Sequence, residues 1–145
     1  MYYPHDFKRR HGKLYCEQVP VARIAEAVGT PVYIYSHKTL VDHLRKLQRA
    51  FRALRPLICF SVKANGNLAI LRLLVREGAG LDIVSGGELF KALQVGCPPS
   101  RIVFASVGKR PEEIREATLA PSDLDFRSEV VDGLRRLADT ILHCP

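Results

Sequence analysis

Apolar positions along this chain follow two rhythms, one helical and one of short strands. Lys13-Leu14-Tyr15-Cys16-Glu17-Gln18-Val19 reads as a short strand ahead of Pro20. Val21, Ile24, Ala25 and Val28 then recur at helical spacing, and Gly29, Thr30 and Pro31 stop the helix. Pro31-Val32-Tyr33-Ile34-Tyr35 is β-branched and aromatic and predicts a strand. Ser36 is placed to cap a helix whose apolar stripe is Leu40, Val41, Leu44, Leu47, Phe51 and Leu54. Pro56 ends it.

From Leu57 the pattern becomes a repeat. Leu57-Ile58-Cys59-Phe60-Ser61-Val62 is an apolar run suited to a strand covered on both faces, closing on Lys63 and the turn-rich Ala64-Asn65-Gly66-Asn67. Asn67 caps a helix that buries Leu68, Leu71, Leu74 and Val75 and ends at Gly78-Ala79-Gly80. Leu81-Asp82-Ile83-Val84 is a second strand. Ser85 and Glu88 form a capping box for a helix with Leu89, Ala92, Leu93 and Val95. Ile102-Val103-Phe104-Ala105 is a third strand, and Pro111-Glu112-Glu113 opens another helix. Strands alternating with helices predict a parallel sheet with right-handed crossovers. The fold class is therefore α/β: the first three to four units of a (β/α)8 TIM-type barrel, preceded by a short N-terminal strand and helix. Beyond Ala117 only a weak strand over 118–126 and a helix from Ser128 to Leu142 are predicted, enough for a fourth unit only just completed.

Composition narrows the function. At 145 residues and 47% hydrophobic, the chain can bury a real core. No segment approaches the roughly 18 apolar residues of a membrane helix, and no apolar core follows the charged N-terminus. Those readings exclude a membrane role and predict a cytoplasmic protein. Cys16, Cys59, Cys97 and Cys144 lack C-x-x-C spacing, so free and mostly buried thiols are expected. The histidines offer no metal pair; His37 and His43 are six apart and do not share a helix face. The net charge of +7 concentrates in Lys8-Arg9-Arg10 with Lys13, and in Arg45, Lys46, Arg49, Arg52 and Arg55. Without Trp or interleaved aromatics, this reads as the solvated side of an amphipathic helix, not a nucleic-acid surface.

In a parallel sheet, chemistry collects in the loops at the carboxyl ends of the strands. There Lys63 is either a surface lysine at a strand end or a desolvated amine poised as a nucleophile. Ser85 and Glu88 read as caps, Gly86-Gly87 is too short for a phosphate loop, and Gly108-Lys109 lacks the preceding spacing of a P-loop because position 103 is Val.

Three stretches together resemble the diaminopimelate decarboxylases, a branch of the fold type III pyridoxal-phosphate (PLP) decarboxylases. They are Phe60-Ser61-Val62-Lys63-Ala64-Asn65-Gly66-Asn67, Gly78-Ala79-Gly80-Leu81-Asp82-Ile83-Val84-Ser85-Gly86-Gly87-Glu88-Leu89, and Pro99 to Phe104 with Gly108-Lys109. Val28 to Tyr35 matches the family's N-terminal entry, so the likeness covers roughly residues 12 to 117. Ornithine decarboxylases share the lysine, but their counterparts of the Ser-Gly-Gly-Glu stretch usually read differently. The resemblance implies that Lys63 carries PLP as an internal Schiff base and afterwards moves a proton. It also implies a small amino-acid substrate, with meso-2,6-diaminopimelate giving L-lysine and CO2, and a homo-oligomer, a dimer in the complete enzyme. Asp82 carries family weight as a residue near the cofactor; its alternative is a buried acid satisfied by backbone N–H groups.

On this reading residues 1–35 belong to the family's β-domain, 36–117 to a partial PLP-binding barrel, and 118–145 to a divergent or truncated tail. The family's ring-stacking histidine, glycine-rich phosphate loop and pyridine-pairing glutamate come later than residue 145. An N-terminal portion, inactive alone, is therefore expected. The alternatives are a non-catalytic remnant or partner-binding module, another fold type III amino-acid decarboxylase, and a small single-barrel PLP-binding protein.

Overall fold

The computed structural model describes residues 5–105 and 108–119. The chain divides into two compact units, Met1–Leu54 and Arg55–Pro145.

The first unit opens with an antiparallel meander: β1 (Phe7–Arg10), β2 (Lys13–Cys16) and β3 (Val19–Pro20). The turns need left-handed backbone. His11 (φ 48°) and Gly12 (φ 76°) join β1 to β2, and Glu17 (φ 57°) lies between β2 and β3. The expected single strand over Lys13–Val19 is thus two strands, with Phe7–Arg10 added ahead of it. The charge run Lys8-Arg9-Arg10 hid that strand, which is almost wholly exposed and so carries no burial pattern. Helix α1 (Val21–Val28) follows as expected and stops at Gly29, φ 80°.

The expected strand over Pro31–Tyr35 does not form. Its residues have strand propensity, but a strand exists only against a neighbour, and no described strand pairs with this segment. Tyr33 is 88% exposed. Helix α2 (His37–Ala50) is capped by Ser36, whose Oγ accepts from the Thr39 N–H at 3.0 Å. It ends before Pro56, giving way to a single 3-10 turn at Arg52–Leu54, so Phe51 and Leu54 are exposed and do not continue a buried stripe. Val41 and Leu44 are its buried positions.

The second unit contains a three-stranded parallel sheet, β4 (Cys59–Ser61), β5 (Gly80–Ile83) and β6 (Ile102–Phe104), in sequence order. Helices α3 (Leu68–Arg76), α4 (Gly86–Gln94) and α5 (Pro111–Leu119) alternate with the strands. The α/β class and the parallel sheet are as the sequence predicts. Alternation along the strands puts Leu81, Ile83, Ile102 and Phe104 on one face, where they pack with Leu71, Leu89, Ala92 and Val95 of the helical segments. Leu71, Leu81 and Ile83 are wholly buried, each contributing about 1.5–3 kcal/mol by leaving water. Gly80 is required where β5 passes its neighbours: a Cβ there would meet the Arg101 carbonyl oxygen and lie 2.8 Å from Cys59 Sγ.

The sheet's other face departs from expectation. Covering on both faces was expected of β4, yet all three of its residues are only half-buried, and Val103 of β6 is 45% exposed. The described residues cover one face, and the other carries Ser61, Asp82 and Val103. Of the sequence beyond Ala117, Thr118 and Leu119 belong to the last turn of α5 and not to a strand; the remainder lies outside the described residues. No helix among them is long and apolar enough to cross a membrane.

Candidate active site

The carboxyl end of the sheet is where the chemistry-bearing residues gather. β4 ends at Ser61, and a single 3-10 turn, Val62–Ala64, carries Lys63. Val62 anchors that turn in the core at 1% exposure, while Lys63 itself is exposed. A desolvated amine is therefore not what the described residues provide: Lys63 is fixed at its backbone and open at its side chain. Asn67 closes the loop by capping α3, accepting from the Ala69 N–H at 2.9 Å and the Ile70 N–H at 3.4 Å.

Asp82 is the penultimate residue of β5, and the parallel register sets it beside Ser61. Asp82 Oδ1 and Ser61 Oγ are both buried without a hydrogen-bond partner. Each such group costs about 1–3 kcal/mol, so a pair in one row marks a place where the fold is not self-sufficient. The alternative for Asp82, a buried acid satisfied by backbone N–H groups, does not account for Oδ1. Among the described residues no ion pair joins Asp82 to Lys63. Cys59 shares this environment: burial raises its thiol pKa, and the Asp82 carboxylate adds to the rise. Burial pushes the Cys97 thiol up to about 11, with Cys59 adding to it. Cys16 and Cys97 are buried and free, as expected, and Cys59 is free and half-buried.

The β5–α4 turn is fixed by carboxylates. Ser85 Oγ accepts from the Glu88 N–H at 3.3 Å, but the Glu88 carboxylate reaches past the usual capping-box partner and accepts from the Val84 N–H at 2.8 Å. Glu113 of α5 accepts from the Gly86 N–H at 2.9 Å and from the Arg110 N–H at 3.0 Å. Those two amides, Gly86 second, hold the Glu113 carboxyl below the ordinary glutamate range, with desolvation opposing and Arg110 assisting. Ser85 and Glu88 are caps, as read from the sequence. Lys109 Nζ lies 5.2 Å from the Phe104 ring centroid, a cation–π contact, not a phosphate-loop position.

Sequence reasoning found Lys63 and Asp82 but missed Ser61 and Glu113. Ser61 had a signal, a lone hydroxyl in an apolar run two residues before the lysine. Glu113 was readable only as an acid in the first turn of a helix; its bond to the Gly86 N–H, 27 positions away, had no signal.

A lysine presented on a turn at the carboxyl end of parallel strands stands where α/β folds place small-molecule sites. The family is more specific. The chain belongs to the pyridoxal-dependent decarboxylases, whose pyridoxal binding domain matches residues 37–140. It is 50% identical over 104 residues to a diaminopimelate decarboxylase of Neisseria meningitidis serogroup B, covering 72% of this chain and 25% of that protein. It is 40% identical over 136 residues to the diaminopimelate decarboxylase of Zymomonas mobilis, covering 92% of this chain and 32% of that one. Among solved structures, diaminopimelate decarboxylase from M. jannaschii in co-complex with L-lysine superposes with a TM-score of 0.74. The identity is 32%, over 77% of this chain and 27% of that one. The chain spans about a quarter to a third of the length of these relatives.

Proposed function

We propose that this chain supplies the cofactor lysine of a PLP-dependent amino-acid decarboxylase, with meso-2,6-diaminopimelate as substrate and L-lysine and CO2 as products. The observation that carries it is the row of Ser61 Oγ and Asp82 Oδ1, two buried atoms without a hydrogen-bond partner, adjoining the turn that presents Lys63. A hydroxyl and a carboxylate left without partners at that place fit a polar cofactor such as PLP. In this reading Lys63 binds the cofactor through Nζ and later carries a proton at the same atom. Asp82 orients the lysine or the cofactor electrostatically, and Ser61 provides a donor. The bound cofactor supplies an electron sink for the pair left when the carboxylate departs. The core face behind the strands holds Val62 and with it the backbone of Lys63. The Glu113 and Glu88 carboxylates hold the turn that follows Asp82.

The partial (β/α)8 barrel belongs to the same proposal. Strands in sequence order with helical residues packed on one face support it, because a barrel winds in one sense. The match over residues 37–140 supports a pyridoxal-binding part from about residue 36 onward, with 1–35 belonging to a β-domain; because it runs on to residue 140, it gives no support to a divergent tail over 118–145. A cytoplasmic setting and assembly with a second copy are proposed on the likeness to the relatives.

The test is covalent trapping. The chain is incubated with PLP, reduced with borohydride, and mapped by mass spectrometry. Near-stoichiometric labelling at Lys63, lost in Lys63→Ala and weakened in Asp82→Ala, is the expected result. Labelling spread evenly over surface lysines overturns the assignment. CO2 release from meso-diaminopimelate, measured on the whole protein, tests the substrate.

A further inference from the structure

The first unit contains a second, unrelated place for chemistry. A cleft of about 410 Å³ lies between β1, which contributes Lys8, and the face of α2 that carries Lys38, Asp42, Lys46 and Arg49. Helical spacing aligns those four α2 residues on one side. The acids in the cleft are already engaged, and by the same lysine. Asp6 Oδ1 lies 3.4 Å from Lys38 Nζ, and Asp42 Oδ2 takes the same ammonium as a hydrogen-bond donor. Asp6 Oδ2 also accepts from the Thr39 hydroxyl at 3.1 Å, and Thr39 Oγ1 accepts from the Asp6 N–H at 2.9 Å. Lys38 is thus the structural cation, pinned between two carboxylates.

What remains is positive. Among the described residues no ion pair joins Lys8, Lys46 or Arg49 to an acid, although Arg49 helps Lys38 and Arg45 to lower the Asp42 pKa through space. Four fixed cations face two acids, and His5 and His43 also line the cleft. Cations that converge from two walls attract anions and reject cations. The volume would hold roughly a dozen waters at about 30 Å³ each, space for a small anion and not for a folded partner.

We propose that this cleft binds a compact, multiply charged oxyanion of the phosphate class, held between Lys8 on one wall and Lys46 and Arg49 on the other. A tetrahedral anion presents oxygens in several directions, which suits cations arriving from different elements, and the Arg49 guanidinium can engage two of them at once. A planar monocarboxylate would leave one wall unanswered.

The experiment is calorimetric titration of the full chain with inorganic pyrophosphate in 150 mM NaCl, so that diffuse attraction to the net positive chain is screened. Saturable one-to-one binding is expected. It weakens by about tenfold or more in Lys46→Gln/Arg49→Gln and is unchanged in Arg72→Gln, a charge removed outside the cleft. Equal weakening in Arg72→Gln, no weakening in the double variant, or no saturable heat overturns the proposal. So does tighter binding by a longer nucleic acid than by pyrophosphate, which would make the cleft part of a polyanion track. Should the double variant fail to fold, Lys8→Gln, on an exposed strand, gives the same readout. Lys63 labelling by PLP is not involved, so this site and the lysine site stand or fall separately.

Discussion

Ser61→Ala is expected to stabilise the chain. Ser61 Oγ is buried with no hydrogen-bond partner, a condition that costs about 1–3 kcal/mol. Alanine removes the penalty and forfeits only the few contacts of one oxygen atom, for a net gain of about 1–2 kcal/mol. With a urea dependence of about 2 kcal/mol per molar, the unfolding midpoint rises by about 0.5–1 M. Far-UV circular dichroism in urea reads this directly, since the chain has no Trp for fluorescence. Asp82→Asn is the companion: it removes the charge but leaves an orphaned carbonyl, so its gain is smaller. The sign should change with the cofactor. If Ser61 answers bound PLP, saturating PLP stabilises the parent chain more than Ser61→Ala, and the difference in midpoint narrows or reverses. A midpoint that is unchanged or lower in Ser61→Ala without PLP refutes the reasoning, because the hydroxyl must then have a native partner.

Gly80→Ala places a methyl group against the Arg101 carbonyl oxygen and 2.8 Å from Cys59 Sγ; it should cost about 1–3 kcal/mol, read as a lowered urea midpoint. Glu17 accepts from the Lys38 N–H at 3.0 Å and from the Ser36 hydroxyl at 2.8 Å, which holds its carboxyl below the ordinary glutamate value of 4.5, the backbone bond contributing most. Because the folded value is the lower one, this contribution is complete above the unfolded value and fades as pH falls through the folded one. Midpoints measured from pH 7 to pH 3 should therefore fall less steeply in Glu17→Gln than in the parent. Cys97, with its thiol pKa pushed up to about 11, should be alkylated by iodoacetamide at pH 8 only as fast as the chain unfolds, followed by peptide mapping with and without urea.

Local signals carried much of this structure. Ser36, Asn67 and Ser85 were readable as caps because each bonds within three residues of itself. The alternation of apolar strands with apolar helical stripes was enough for the parallel sheet. What escaped was pairwise or distant. Phe7–Arg10 is a strand only because Lys13–Cys16 lies against it, and Pro31–Tyr35 is not a strand although its residues favour one. Lys63 and Asp82 were legible through a resemblance and a strand-end position. That Asp82 shares a row with Ser61 is a matter of register, which neither strand states alone. The sequence left Lys63 open between a surface lysine and an enclosed amine, because enclosure depends on what stands opposite.

The order of the parallel strands also governs how the sheet is assembled. Cys59 pairs with Gly80 and Leu81 with Ile102, the same separation each time. Closing each crossover therefore carries the same chain entropy, and that cost rises only by about 0.6 kcal/mol for each doubling of length. The Ser61–Asp82 row lies wholly within the β4–β5 pair, so its register is set by that one pairing and does not wait on β6.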